Sequence, residues 1–307
     1  MRAAVLKLCR RCLFWLLLLP CGMAHAGFDI VVVLSRAEGP HQVFAQHFSR
    51  AASRLGHRVQ VVSAEDEPLD PAVLQDVDLV VSSGELALTA VLQRPERPTL
   101  AVMLGQQAFE RLRALEPTRA LGAMPLDQPP SRQLRLFRAL LPQAQQLALL
   151  QQSYAAKLES FSAAAAECGL ELQTAQLDDP RQLVQQLDVL LRDSDALLVL
   201  AEAAVSAPAA VRSILLTSYR QRKPLLAFSQ AYVDAGALAA VFTTPGQVAE
   251  QVLSWLAQQD GELPRLPELS FPPEFELAVN RKVARSLGLQ IAPDEVLIRE
   301  IAGGDCR

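Results

Sequence analysis

Polar residues recur in this 307-residue chain just after short apolar runs, where a turn would hand them to solvent or to a ligand. In the first half these are Ser35, Ser82 with Ser83, and Gly105 with Gln106. In the second half they are Ser153 with Tyr154, Glu202, and Ser229 with Gln230. Hydroxyls and amides at helix starts suit a carboxylate; Glu202 suits an ammonium; Tyr154 can cover an apolar or aromatic group. The same residue types are also ordinary turn and N-cap residues.

A covalent chemistry would need its own constellation, and none is present. The chain has no G-x-S-x-G elbow, no H-E-x-x-H, no phosphate loop and no G-x-G-x-x-G after its first apolar run. His41 and His47 are six residues apart and do not share a helical face, which argues against a metal pair. Glu65, Asp66 and Glu67 stand beside Pro68 and read as a solvated loop. The expectation is a binding protein without catalytic residues, metal or cofactor.

The elements that must position these residues follow from hydropathy. Apolar runs at Ile30 to Leu34, Val59 to Val62, Val77 to Val81 and Leu100 to Leu104 alternate with amphipathic stretches. One stretch puts Val43, Phe44, Phe48, Ala51, Ala52 and Leu55 on a helical face stopped by Gly56. After MPLDQPPSRQ, which opens a helix ending near Leu141, the rhythm restarts. Its runs are Leu147 to Leu150, Leu172 to Ala175, Ala196 to Leu200, Leu225 to Phe228 and Ala239 to Phe242. A helix between them carries Leu183, Val184, Leu187, Leu190 and Leu191. This is the pattern of repeated βαβ units. The expected fold is α/β, two similar doubly wound parallel-sheet domains with a hinge and an inter-domain cleft. Domain 1 is 27–122 plus about 245–307, and domain 2 is about 123–244.

The first 26 residues hold Arg2, Lys7, Arg10 and Arg11, an apolar run from Leu13 to Leu19, and Ala24 and Ala26 around His25. That order predicts a signal peptide cleaved before Gly27 and a periplasmic product. Leu19-Pro20-Cys21 has proline where a lipid-anchoring signal has Gly or Ala, so Cys21 is not read as lipidated. Net charge is −4, and more negative without those four bases, which argues against nucleic acid as partner. Cys168 and Cys306 remain after cleavage. Cys168 aligns with Leu158, Phe161 and Ala165 and reads as a small buried apolar residue, without a bridge to Cys306.

Three stretches carry a family resemblance: FRALLPQAQQLALLQQSYAAKLESFSAAAAECGLEL, KPLLAFSQAYVDAGALAAVFTTPGQVAEQVLSWL and FELAVNRKVARSLGLQIAPDEVL. They resemble substrate-binding proteins of ABC transporters of the aromatic-amino-acid and uncharacterised-solute type, including a closing signature at Asn280, Ala284, Leu287, Gly288 and Leu289. The resemblance implies a periplasmic-binding-protein fold, type I-like, that closes on its ligand. It also implies a small-molecule solute, an inner-membrane ABC permease as partner, and a monomer. An envelope sensor or interaction module with the same fold is the alternative. The chain departs from its relatives at Gln152, Ser153 and Tyr154, at Ala201 to Ala204, and at Thr243 to Gly246, so the scaffold is retained while the pocket chemistry differs.

Overall fold

The computed structural model describes residues 27–65, 68–151, 155–177, 179–259, 263–303 and 306. The expected signal segment and the pair Ser153 and Tyr154 lie outside the described residues. In chain order the elements are β1 (Asp29–Leu34), α1 (Gly39–Arg54), β2 (Arg58–Ser63), β3 (Leu79–Ser83), α2 (Glu85–Leu92), β4 (Thr99–Val102), α3 (Gln106–Leu115), β5 (Leu121–Met124) and α4 (Pro130–Leu140). There follow β6 (Gln146–Gln151), α5 (Ala155–Glu167), β7 (Glu171–Gln176), α6 (Leu183–Leu190), β8 (Ala196–Val199), α7 (Ala203–Ser206), α8 (Pro208–Arg220), β9 (Leu225–Ala227), α9 (Gln230–Ala235) and β10 (Ala239–Phe242). The chain closes with α10 (Pro245–Leu256), β11 (Glu276–Val279), α11 (Arg281–Ser286) and α12 (Asp294–Ala302).

Two sheets result. The first has the order β2-β1-β3-β4-β5 and is parallel throughout. The second has the order β11-β10-β9-β8-β6-β7, parallel except for antiparallel β11. Runs without polar alternation are what a sheet covered by helices on both faces needs. In β1, Ile30, Val32 and Leu34 join Phe44 and Phe48 of α1, while Val31 and Val33 join Ala87 and Val91 of α2 on the other face. Each of these valine, leucine, isoleucine and phenylalanine side chains, fully buried, contributes about 1.5–3 kcal/mol.

The structure corrects the expected boundaries. Leu121–Met124 forms a fifth strand of the first sheet, so the division at 122 cuts through β5. Nor does all of 245–307 return to the first half. α10 packs on α1, and the Ser270 amide donates to the Ala123 carbonyl at 2.9 Å. The chain then leaves again: β11 pairs with β10, and α12 packs on α4. Val184 also sits off its expected stripe, 40% exposed.

A second correction concerns the cysteines. Cys168 is buried as expected but is bonded to Cys306, with Cα atoms 4.7 Å apart. The bridge arises because α12 lies beside α4, which in turn packs on α5, bringing the chain end to the end of α5.

The closing signature has a plain structural cause. Asn280 is the N-cap of α11, its Oδ1 accepting from the Lys282 and Val283 amides, and its Nδ2 donates to Val233 O at 3.1 Å. Gly288 follows the helix at φ +74°, a left-handed stop, and the Leu289 amide returns to the Ala284 carbonyl at 2.9 Å. These residues start, stop and anchor one short helix.

Two histidines make stability pH-dependent. His57 Nδ1 accepts from the Phe28 amide at 3.0 Å, which requires the neutral ring, and burial pushes its pKa down. Burial, with Arg36 nearby, does the same to His41, whose Nδ1 lies 2.9 Å from Ser83 Oγ. A base with a lowered folded pKa supports the fold fully above the unfolded value, about 6.5, and loses that support as pH falls below it. Urea midpoints should therefore hold between pH 8 and 7 and decline from about 6.5 downward. His57→Gln should flatten part of that decline; a wild-type midpoint unchanged across this range would refute the assignment.

Candidate functional site

In parallel α/β sheets the carboxyl ends of strands open onto helix N-termini, where amides and dipoles can meet a ligand. At this edge of the first sheet, Ser35 Oγ accepts from the buried Ala87 amide at 2.9 Å, inside the first turn of α2. Ser83 is held by His41. The turn between them needs Gly84: its φ is +93°, and a Cβ there would sit 2.5 Å from Ser35 Oγ and 2.6 Å from His41 Cε1. Ser35 and Ser83 therefore shape the α2 entrance from within. Ser82 differs from both, because its Oγ is buried without a hydrogen-bond partner among the described residues.

Gln106 enters through its backbone. Its amide donates to Asp127 Oδ2 at 2.6 Å, while its side chain bonds Glu110 on its own helix. Asp127, a buried acid that the sequence reading passed over, thus supplies the N-terminal cap of α3 from the first crossing between the halves. The only sequence signal was an Asp standing among prolines in MPLDQPP.

In the second sheet, Glu202 is 3% exposed and is the N-cap residue of α7, its carbonyl accepting from Val205 N and Ser206 Oγ. Ser229 caps α9, its Oγ accepting from the Tyr232 amide at 3.3 Å, and exposed Gln230 reaches along the same helix to Asp234. The Tyr232 hydroxyl donates to the Val205 carbonyl at 2.8 Å, joining α9 to α7, and burial raises its pKa. Gln151, the last residue of β6, is a second residue missed from sequence: its Oε1 is buried without a hydrogen-bond partner among the described residues.

The two edges meet. A Cβ on Gly105 would lie 2.9 Å from the Ala201 carbonyl oxygen and 3.5 Å from Asp127 Oδ2. Gly105 and Gln106 of the first half and Ala201 and Glu202 of the second are thereby neighbours across the cleft. Ser229 and Gln230 are engaged in their own helix.

Among the described residues no helix is long and apolar enough to cross a membrane, and no group of three or more His, Cys, Asp or Glu can hold a metal ion.

No curated protein matches the chain by sequence. Solved structures do match in fold. An ABC domain from Streptococcus pneumoniae in complex with L-Trp is 18% identical, with 89% of this chain and 98% of that one covered and a TM-score of 0.61. A conserved domain protein from Vibrio cholerae is 17% identical over 89% and 98%, with a TM-score of 0.63. A ligand-free, open substrate binding protein with adhesive properties from Clostridium difficile is 14% identical over 87% and 97%, with a TM-score of 0.65. At these identities the likeness is one of fold, a periplasmic-binding-protein type I-like pair of α/β domains. Residues 127–301 match the family described as ABC transporter substrate binding protein, and with more than half its length inside that match the chain belongs to this family.

Proposed function

We propose that the protein is the extracytoplasmic receptor of an ABC importer, capturing a small amino-acid-like or carboxylate solute between its two halves. The observation that carries the reading is a pair of buried polar atoms without hydrogen-bond partners among the described residues, Ser82 Oγ and Gln151 Oε1, at the carboxyl ends of inner strands in the two sheets. Buried polar groups are nearly always hydrogen-bonded, so such atoms at a cleft edge are what a polar ligand would satisfy. The entrance of α2 suits a carboxylate, and buried Glu202 suits an ammonium. The L-Trp complex of the streptococcal neighbour makes an amino acid the first solute class to try. The Cys168–Cys306 bridge fits an oxidising compartment and, with the leader sequence, supports export to the periplasm.

A solute that contacts both halves favours their approach by its differential affinity for the closed state. The test is a thermal-shift screen of the mature protein against amino acids and small carboxylates, with calorimetry on any hit. Ser82→Ala, Gln151→Leu and Glu202→Gln should each weaken the hit, by about five- to tenfold for a lost bond worth about 1–1.4 kcal/mol. Binding unchanged in all three would remove these residues from the site. Silence across the screen would favour the sensor or interaction module, a reading to which the adhesive clostridial neighbour lends some weight.

A further inference from the structure

Hydrogen bonds divide each of the three crossings between the halves into a part fixed to one half and a part fixed to the other. In the first crossing, the Leu126 amide donates to Leu104 O at 2.9 Å and Asp127 holds the Gln106 amide, so both ride with the first sheet. The next residue belongs to the other side: Gln128 O accepts from Gln133 Nε2 of α4 at 3.0 Å. In the second crossing, Thr243 Oγ1 accepts from Gln128 Nε2 at 2.8 Å and donates to Glu274 O at 3.1 Å. Its neighbour Thr244 is instead tied to Gln247 by the reciprocal capping bonds of α10, in the first half. In the third, Ser270 is bonded to Ala123, and Gln251 Nε2 of α10 donates to the Ser270 and Phe271 carbonyls, each at 3.2 Å. The carbonyls of Pro272 and Pro273 turn the other way and accept from Arg132 of α4 at 2.9 and 3.1 Å.

The divisions fall between Asp127 and Gln128, between Thr243 and Thr244, and between Phe271 and Pro272. Pro129, Pro130, Pro245, Pro272 and Pro273 stand within two residues of them and fix φ there. Arg132 is the piece common to the second-half side. Besides the two proline carbonyls, its guanidinium donates to Gln128 Oε1 at 2.7 Å and its Cζ stands 4.6 Å over the Phe275 ring.

We propose that Arg132 is a positioning residue that, directly at the first and third crossings and through Gln128 at the second, binds the second-half stubs of all three into one plate. The halves then turn against each other only at those three junctions. The balance between open and closed forms is set at this plate, on residues outside the ligand contacts proposed above. Its value for binding rests on the closing motion proposed above, because apparent affinity scales with the fraction of protein in the competent form. The plate itself can be tested without any ligand.

Spin labels at Leu115 and Tyr219, 69% and 75% exposed on α3 and α8, report the separation of the halves. In ligand-free protein with the native disulfide intact, dipolar spectroscopy should give a narrow distance distribution for the wild type. Arg132→Gln should shift it and roughly double its width, and Arg132→Lys, which keeps the charge but loses the fork, should fall between. Thr243→Val, which cuts the same plate elsewhere, should act in the same direction, and the double variant should add little to either single one. A distribution unchanged in Arg132→Gln, with only the melting temperature lowered, would show a structural role alone and overturn the proposal. Full additivity of the two variants would overturn the single plate.

Discussion

Reducing the Cys168–Cys306 bridge should cost the protein about 2–5 kcal/mol of folding stability, the range for a crosslink that closes a long loop. The bonded residues are 138 positions apart, so the unfolded chain regains much conformational freedom once the link is gone. Both cysteines lie in the core cluster that holds α4, α5 and α12, where Leu297 and Ile301 are fully buried. Loss of the bridge frees the chain end beside that cluster. Urea denaturation with and without reductant checks this. Cys168→Ser and Cys306→Ser should each reproduce the reduced midpoint, and the double variant should be no worse than the singles. A midpoint indifferent to reductant would show that the bridge adds nothing beyond the packing of α12.

Replacing Gly105 should open the cleft. A Cβ there meets the Ala201 carbonyl at 2.9 Å, and because that atom is backbone the halves must part to admit even one methyl group. Gly105 has φ −76°, an angle open to any residue, so the substitution strains the contact and not its own turn. Overpacking of this kind costs about 1–3 kcal/mol wherever the two edges stand this close, and parting the halves relieves it. Gly105→Val should therefore weaken a cleft-bound solute by roughly ten- to hundredfold while leaving the urea midpoint of the ligand-free protein nearly unchanged. Small-angle scattering should show a larger radius of gyration for the variant under saturating solute. Equal affinity and equal radius would mean that the added methyl groups are admitted without parting the halves.

Much of the architecture was legible because the strands are covered on both faces. A run such as Ala239–Phe242 is apolar at every position, and its limits were read directly. Two strands escaped for physical reasons. β5 is four residues long and contains Gly122, where a Cβ would strike the Pro267 carbonyl at 2.4 Å, so a close approach replaced the usual branched side chain. β11 lies on the sheet edge with Glu276 exposed, and its four residues stand at the start of the stretch that resembles a family signature. The site was less legible. Ser35, Ser83 and Ser229 stand where expected, yet their hydroxyls are engaged in holding helix entrances. Polar residues after a strand serve the turn and the ligand with the same chemistry, and only the bonding partner separates the two. Asp127, Gln128, Thr243 and Arg132 were hidden because each has a partner at least 21 and as many as 141 positions away.

The return of α10 to α1 bears on how the chain can be made. Val248, Ala249, Val252 and Leu256 share a core with Phe44 and Phe48, so the first half lacks one wall until residue 256 is present. A ribosome adding residues from the N-terminus would expose that unfinished core for most of synthesis. The nascent chain would stay soft and unfolded by its own topology, needing chaperone cover but free to be threaded through a narrow translocation pore. The core of the first half would then be completed late, when residues 245–256 arrive, and under the export proposed above that falls on the far side.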